Sequence, residues 1–179
     1  MEKEKLSEIL EQINTKVKRL YYIATHDEKT GLHNHIFFKE VFGFELEEAK
    51  RGKYLSLVIA DVDFFKKLND TYGHLTADKI LKRIAEVLEK SLRKYDIVAR
   101  FGGEEFFIML PNTNIEKAKK VSERMRKNIL NDKILSKYKV TISLGVSEYK
   151  EKDSFSRISI RADKALYKAK KSGRNRVCC

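Results

Sequence analysis

The chain has 179 residues, a formal net charge of +12, one proline and only two cysteines, adjacent at Cys178 and Cys179. That length suits one domain with a sizeable core, and the cysteines make neither a disulfide framework nor a spaced metal site. With no secretory signal and no apolar run long enough to cross a bilayer, the expectation is a soluble, cytoplasmic protein.

Leu6, Leu10, Ile13, Val17, Leu20 and Ala24 follow 4-3-4-3-4 spacing, the period of a coiled-coil seam. Residues 1–24 are therefore predicted to form a helix that either pairs with a second copy or packs on its own domain. Residues 25–179 are expected to form the globular part. Asn34 to Arg51 reads as a helix with Phe37, Val41 and Phe44 inward, ending near Gly52. Tyr54 to Ala60 is almost unbroken apolar sequence, as in a buried central strand, and runs into Asp61-Val62-Asp63. Carboxylates at the exit of a buried strand are unfavourable unless paired, hydrated or metal-bound. The plainer reading is strand termination into a turn.

A loop is expected through Gly73-His74, then a helix from Ala77 to Lys94 with Leu81, Ile84, Leu88 and Leu92 on one stripe. Two apolar runs, Ile97–Ala99 and Phe106–Leu110, then flank Gly102-Gly103 and predict a tight hairpin, whose turn needs the positive φ that glycine adopts freely. Glu104 and Glu105 follow at once. Acids at a hairpin tip, together with acids ending a buried strand, supply oxygen ligands for the hard cations of a phosphoryl-transfer site. Taken alone, they also describe a solvated acidic turn. A helix from Ile115 to Leu130, capped by Asn114, comes next. Val140, Ile142, Leu144 and Val146 alternate as a half-buried strand, and a last helix spans Ser159 to Lys171 with Gly173 ending it. Between Arg161 and Arg176 seven Lys or Arg face one Asp, an attractive stretch for an anionic nucleotide. Elsewhere lysines interleave with glutamates, and no segment alternates basic residues with exposed-looking aromatics, so no nucleic-acid partner is expected.

Four segments, DEKTGLHNH from Asp27, DVDFFKKLNDTYGHLTADKIL from Asp61, RKYDIVARFGGEEFFIMLP from Arg93 and ADKALYKAKKSGRNR from Ala162, resemble the GGDEF domain of bacterial diguanylate cyclases in order and spacing. The resemblance runs from about Tyr22 to Arg176. It implies an α/β (α+β), palm-like nucleotidyl cyclase fold, a mainly antiparallel sheet flanked by helices, with GTP bound across the hairpin. It further implies that Asp61, Glu104, Glu105 and the Val62 carbonyl hold two Mg²⁺ or Mn²⁺ ions, and that Glu105 alternatively helps activate the 3′-hydroxyl. Gly102 and Gly103 would let the backbone approach the nucleotide.

By the same resemblance Asn69 and Asp78 read guanine, while Phe65, Lys66, Lys170 and Arg174 complete the GTP-binding set, the cations on the phosphates. A carboxylate accepts from both N1–H and the exocyclic amine of guanine, a donor pair adenine lacks. Asn69 as a turn cap and Asp78 as an N-terminal helix acid are the alternatives. Arg93 and Asp96, with Arg124, match an inhibitory site for the product, cyclic di-GMP; otherwise the first two are an i,i+3 ion pair. A two-fold product requires two GTP-loaded copies face to face, hence a homodimer, which N-terminal heptads would favour by raising effective concentration. An upstream sensor in a longer parent protein is a further implied partner. The rival reading is a non-catalytic receptor for cyclic di-GMP or GTP, which needs no metal acids. Three residues depart from the family pattern: Lys29 for leucine, His35 for arginine and Ala77 for glycine. Alanine at 77 is harmless in a helix and strained at positive φ.

Overall fold

The computed structural model describes residues 2–179, with side chains from Lys5 onward. Helix α1 (Glu2–Thr25) leads into a short strand β1 (His33–Asn34) and helix α2 (His35–Lys50). Strand β2 (Leu55–Val62) follows, then α3 (Phe65–Tyr72), α4 (His74–Lys90) and the hairpin β3 (Ile97–Gly102) and β4 (Glu105–Pro111). Helix α5 (Ile115–Asn131), a 3₁₀ turn over Leu135–Tyr138, strand β5 (Ile142–Glu148), helix α6 (Phe155–Lys171) and strand β6 (Val177–Cys178) complete the chain. The sheet order is β1-β3-β4-β2-β5-β6. The four central strands are antiparallel neighbours, and the two-residue edge strands add in parallel.

Period-two alternation along β2 places the core on both faces. Val58, Ala60 and Val62 join the cluster that includes Ile80, Ile84 and Leu88 of α4 and Met125 and Ile129 of α5. Leu55, Leu57 and Ile59 join the opposite cluster with Phe38 and Phe42 of α2 and Ile158 and Leu166 of α6. Every residue of β2 is buried, as its apolar run requires. Helix α6 lies so close to β5 that a Cβ added to Gly145 would stand 2.1 Å from the Ala162 carbonyl oxygen and 2.3 Å from the Leu166 nitrogen.

Several expectations need correction. Strand β5 is buried on both faces, not half-buried, because α6 covers its second face. On α2 the inward residues are Phe38, Phe42 and Ala49, while Phe44 is 68% exposed. Adjacent phenylalanines made two stripes equally apolar; Phe38 and Phe42 win by joining Phe101, Phe107 and Phe155 in one aromatic cluster, and Phe37 instead stacks on His33 at 4.0 Å. The expected loop before Gly73 is mostly α3, and Gly73 (φ +77) joins it directly to α4. Helix α4 stops at Lys90, short of Lys94, where the Ser91 hydroxyl donates to the Val87 carbonyl. Helix α6 begins at Phe155, behind a Ser154 cap.

Candidate active site

The register between β2 and β4 sets Asp61 directly opposite Glu105, at the end of the sheet where the hairpin turns. Strand β3 ends with Gly102 and β4 begins with Glu105, so the two turn residues are Gly103 and Glu104, one position beyond the Gly-Gly pair expected from sequence. Gly103 adopts φ +49, the left-handed region in which glycine meets no steric penalty. A bulge between Arg100 and Gly102 leaves Phe101 unpaired, and its ring stacks on Phe107 at 3.6 Å. The Val62 N–H donates to the Glu104 carbonyl at 3.3 Å and ties the strand end to the turn.

Asp61 is buried, and that burial pushes its carboxyl above the ordinary aspartate range. The Lys170 ammonium, 2.8 Å from Asp61 Oδ2, works against the rise, whereas Glu104 and Asp63 add to it. Glu105, exposed at the start of β4, is likewise raised, by desolvation from the neighbouring protein first and then by the charge on Asp61. Carboxylates gathered this closely, with Lys170 set against Asp61, form a site short of positive charge. All-oxygen donors in such surroundings fit a hard divalent cation. Among the described residues no three His, Cys, Asp or Glu side chains close around one point as a finished ligand cage.

Asp63 has a different part. Its carboxylate accepts from Thr141 Oγ1 and Ser143 Oγ, each at 2.7 Å, and from the Asn175 N–H at 3.1 Å. It is therefore satisfied by protein donors and anchors the segment after α6 to the end of β2. Arg174 and Asn175 there adopt positive φ, and the Arg174 guanidinium lies over the Phe64 ring at 4.3 Å. Phe64, itself left-handed at φ 57, starts α3. Lys66 is exposed on that helix, whereas the Phe65 side chain is buried in the core and leaves only its backbone for a ligand. Glu105, Lys170, Asp163, Lys164 and Tyr167 line a cavity of about 280 Å³ beside the acids.

Asn69 and Asp78 stand on α3 and α4, on either side of the Gly73 joint. Asn69 Oδ1 is 3.2 Å from His74 Nδ1, and Asp78 receives the Lys29 ammonium on both carboxylate oxygens at 2.9 Å. Ala77 lies within α4, fully buried and at negative φ, so its departure from the family pattern causes no strain.

Arg93 and Asp96 lie between α4 and β3, away from the acids. Asp96 Oδ2 accepts from the Arg93 backbone N–H at 2.9 Å, so this contact does not use the guanidinium as an i,i+3 ion pair would. Both residues line a cavity of about 440 Å³ shared with His26, His33 and Phe37. Arg124, on α5, donates to the Ser91 carbonyl at 2.7 Å and does not line that cavity.

Two residues not picked out from the sequence belong to the site. Arg100 donates through Nε and Nη2 to the Gly103 carbonyl at 3.0 and 2.7 Å, and through Nη1 to both oxygens of Asp27 at 3.1 and 3.2 Å. Its side chain is only 9% exposed. The turn is thus clamped to the residue that follows α1 by two. Burial would raise the Asp27 carboxyl, but hydrogen bonds from Thr30 and Arg100 outweigh it and hold the group below the ordinary aspartate range. The only sequence signal was an arginine set three residues before the turn glycine.

The acid-tipped hairpin on this helix-flanked sheet places the chain in the GGDEF family: the model described as "Diguanylate cyclase, GGDEF domain" matches residues 24–176, and the chain belongs to it. Among proteins of known name, it is 46% identical to diguanylate cyclase A of Treponema denticola over 132 residues, 72% of this chain and 36% of that protein. The chain thus spans about a third of that relative's length. Among solved structures, the coiled coil and GGDEF domain of DgcB from Caulobacter crescentus, in complex with c-di-GMP, superposes with a TM-score of 0.88 at 28% identity, covering 97% of this chain and 95% of that one. The active GGEEF domain of a diguanylate cyclase from Vibrio cholerae gives 0.77 at 34% identity, covering 82% and 96%.

Proposed function

We propose that this protein is a diguanylate cyclase that condenses two GTP into cyclic di-GMP and two pyrophosphates across a homodimer. The observation that carries the reading is the facing pair Asp61 and Glu105 at the hairpin, with Lys170 offsetting their charge. Mg²⁺ or Mn²⁺, two per site, would be held by Asp61, Glu104, Glu105 and the Val62 carbonyl, and would supply positive charge to the triphosphate. Lys66, Lys170 and Arg174 bind and orient the phosphates, and Asn69 and Asp78 hold the guanine edge. Each 3′-hydroxyl attacks the α-phosphorus of the GTP on the other protomer; a P–O bond forms, the bond to pyrophosphate breaks, and the hydroxyl proton passes to a base. Glu105, held above the ordinary glutamate range, is suited to take that proton. Exposed α1 residues Leu6, Leu10, Ile13, Val17 and Leu20 supply the seam that brings two copies together. The product binds back at the cavity beside Arg93 and Asp96, with Arg124 supporting the loop at Ser91.

The test is incubation with GTP and Mg²⁺ followed by mass spectrometry of the nucleotides. Cyclic di-GMP is expected from the wild type and none from Glu104→Ala. Unchanged GTP, from protein that is dimeric and free of bound product, would replace the cyclase with a nucleotide receptor.

A further inference from the structure

We propose that Lys29 is a base-reading residue, placed to bond the O6 of guanine while Asp78 takes N1–H and the exocyclic amine. The inference rests on the assignment of Asp78 to the base pocket. Lys29 is reached from the loop after α1, 49 residues away in sequence, yet its ammonium sits symmetrically on the Asp78 carboxylate, 2.9 Å from each oxygen. A carboxylate that accepts from N1–H and N2–H has the guanine O6 immediately beside the N1–H it holds. The ammonium now sits between the two oxygens, where the base edge comes; moved aside toward the N1–H oxygen, it would stand beside O6.

The pair is built to make that shift. Side-chain exposures of 46% for Lys29 and 37% for Asp78 leave both heads in solvent, and an exposed ion pair contributes little to stability. Such a weak pair is a poor lock on the pocket. A lysine has three donors on one nitrogen, so it retains a bond to Asp78 while donating to the base. Adenine presents an amine at the position of O6, and a donor facing the ammonium would be unfavourable. Lys29 thus adds a second criterion to guanine selection, independent of the donor pair that Asp78 reads.

Binding is measured with 3′-deoxy-GTP and 3′-deoxy-ATP, which cannot condense, on wild type, Lys29→Met, Lys29→Arg and Asp78→Asn. Lys29→Met is expected to weaken 3′-deoxy-GTP about tenfold, the order of one charge-assisted hydrogen bond, and to narrow the guanine-over-adenine ratio. Lys29→Arg should keep most of the ratio. Equal or tighter guanine binding by Lys29→Met would overturn the proposal and leave Lys29 as a competitor for Asp78. Asp78→Asn that keeps full guanine preference would overturn the base pocket itself, and this assignment with it. Because the readout is a ratio of two nucleotides on one folded protein, a loss of stability in any variant does not imitate the expected result.

Discussion

Asp27, Asp61 and Glu105 respond to acid in opposite directions. The carboxyls of Asp61 and Glu105 are raised in the fold, so protonating them relieves the native state, while any function that needs them as anions fails as pH falls through their raised values. Asp27 is lowered, so its pairing with Arg100 contributes fully above the ordinary aspartate value and is lost only as pH falls through its lower folded value. Acidification should therefore abolish turnover before it loosens the hairpin clamp. Turnover and melting temperature recorded across the same pH series will show a folded, inactive interval; a simultaneous fall of both would contradict these shifts. A cation among the acids favours their anions, so the acid limb of turnover should move to lower pH as Mg²⁺ concentration rises, and a limb that ignores Mg²⁺ would argue against their role as its ligands. Arg100 belongs at this scale too. Arg100→Lys keeps the charge but not the fork that spans Gly103 and Asp27, and about a tenfold loss of kcat with little change in KM is expected from a misplaced turn.

At the scale of elements, the contact between α6 and β5 governs whether Lys170 meets Asp61. Gly145→Ala would force a methyl against the backbone of Ala162 and Leu166, neither of which gives way as a flexible side chain does. A loss of about 1–3 kcal/mol is expected from overpacking of this kind, read as a lower urea midpoint, together with weaker nucleotide binding because α6 carries Lys170. Unchanged stability would mean that the helix slides without consequence. How far such elements can be read from sequence depends on what fixes them. Strand β2 was legible because burial on both faces demands the apolar run it has, and the Asn114 cap was legible because it bonds within its own turn, to the Lys117 N–H. Helix α3 was not, since eight residues are too short for a period to stand out and its start is a left-handed Phe64 without a side-chain cap. The α2 stripe was ambiguous between Phe37 and Phe38 until Phe101 and Phe155 chose one. Within the site, the acids and glycines announced themselves by residue type. The partners that orient them did not, because Asp27 and Arg100 are 73 residues apart and meet only when β1 adds to β3.

For the whole molecule, α1 carries the longest run of exposed apolar side chains among the described residues. Leu10 and Val17 are 57% and 56% exposed in the single chain, more than an isolated domain gains by showing. Leu10→Lys with Val17→Lys should convert the protein to monomers in sedimentation experiments and slow cyclic di-GMP formation at low protein concentration. Raising the concentration should restore part of the rate, because only the encounter has been weakened. A monomeric wild type with full turnover would remove α1 from the mechanism.

Asp63, bonded to Thr141, Ser143 and Asn175, has a mechanical consequence. The strand end that carries Asp61 and the backbone that carries Arg174 are riveted through one buried carboxylate, so the proposed triphosphate end of the cleft is held firmly. The proposed base end is tied differently: α3 and α4 meet at Gly73, and Asp78 is held to the loop after α1 by a solvent-washed ion pair. On the proposed function, a ligand would anchor at the first end and be judged at the second. Pyrophosphate alone should then occupy the cleft without quieting amide exchange in α3, whereas a guanine nucleotide should slow it.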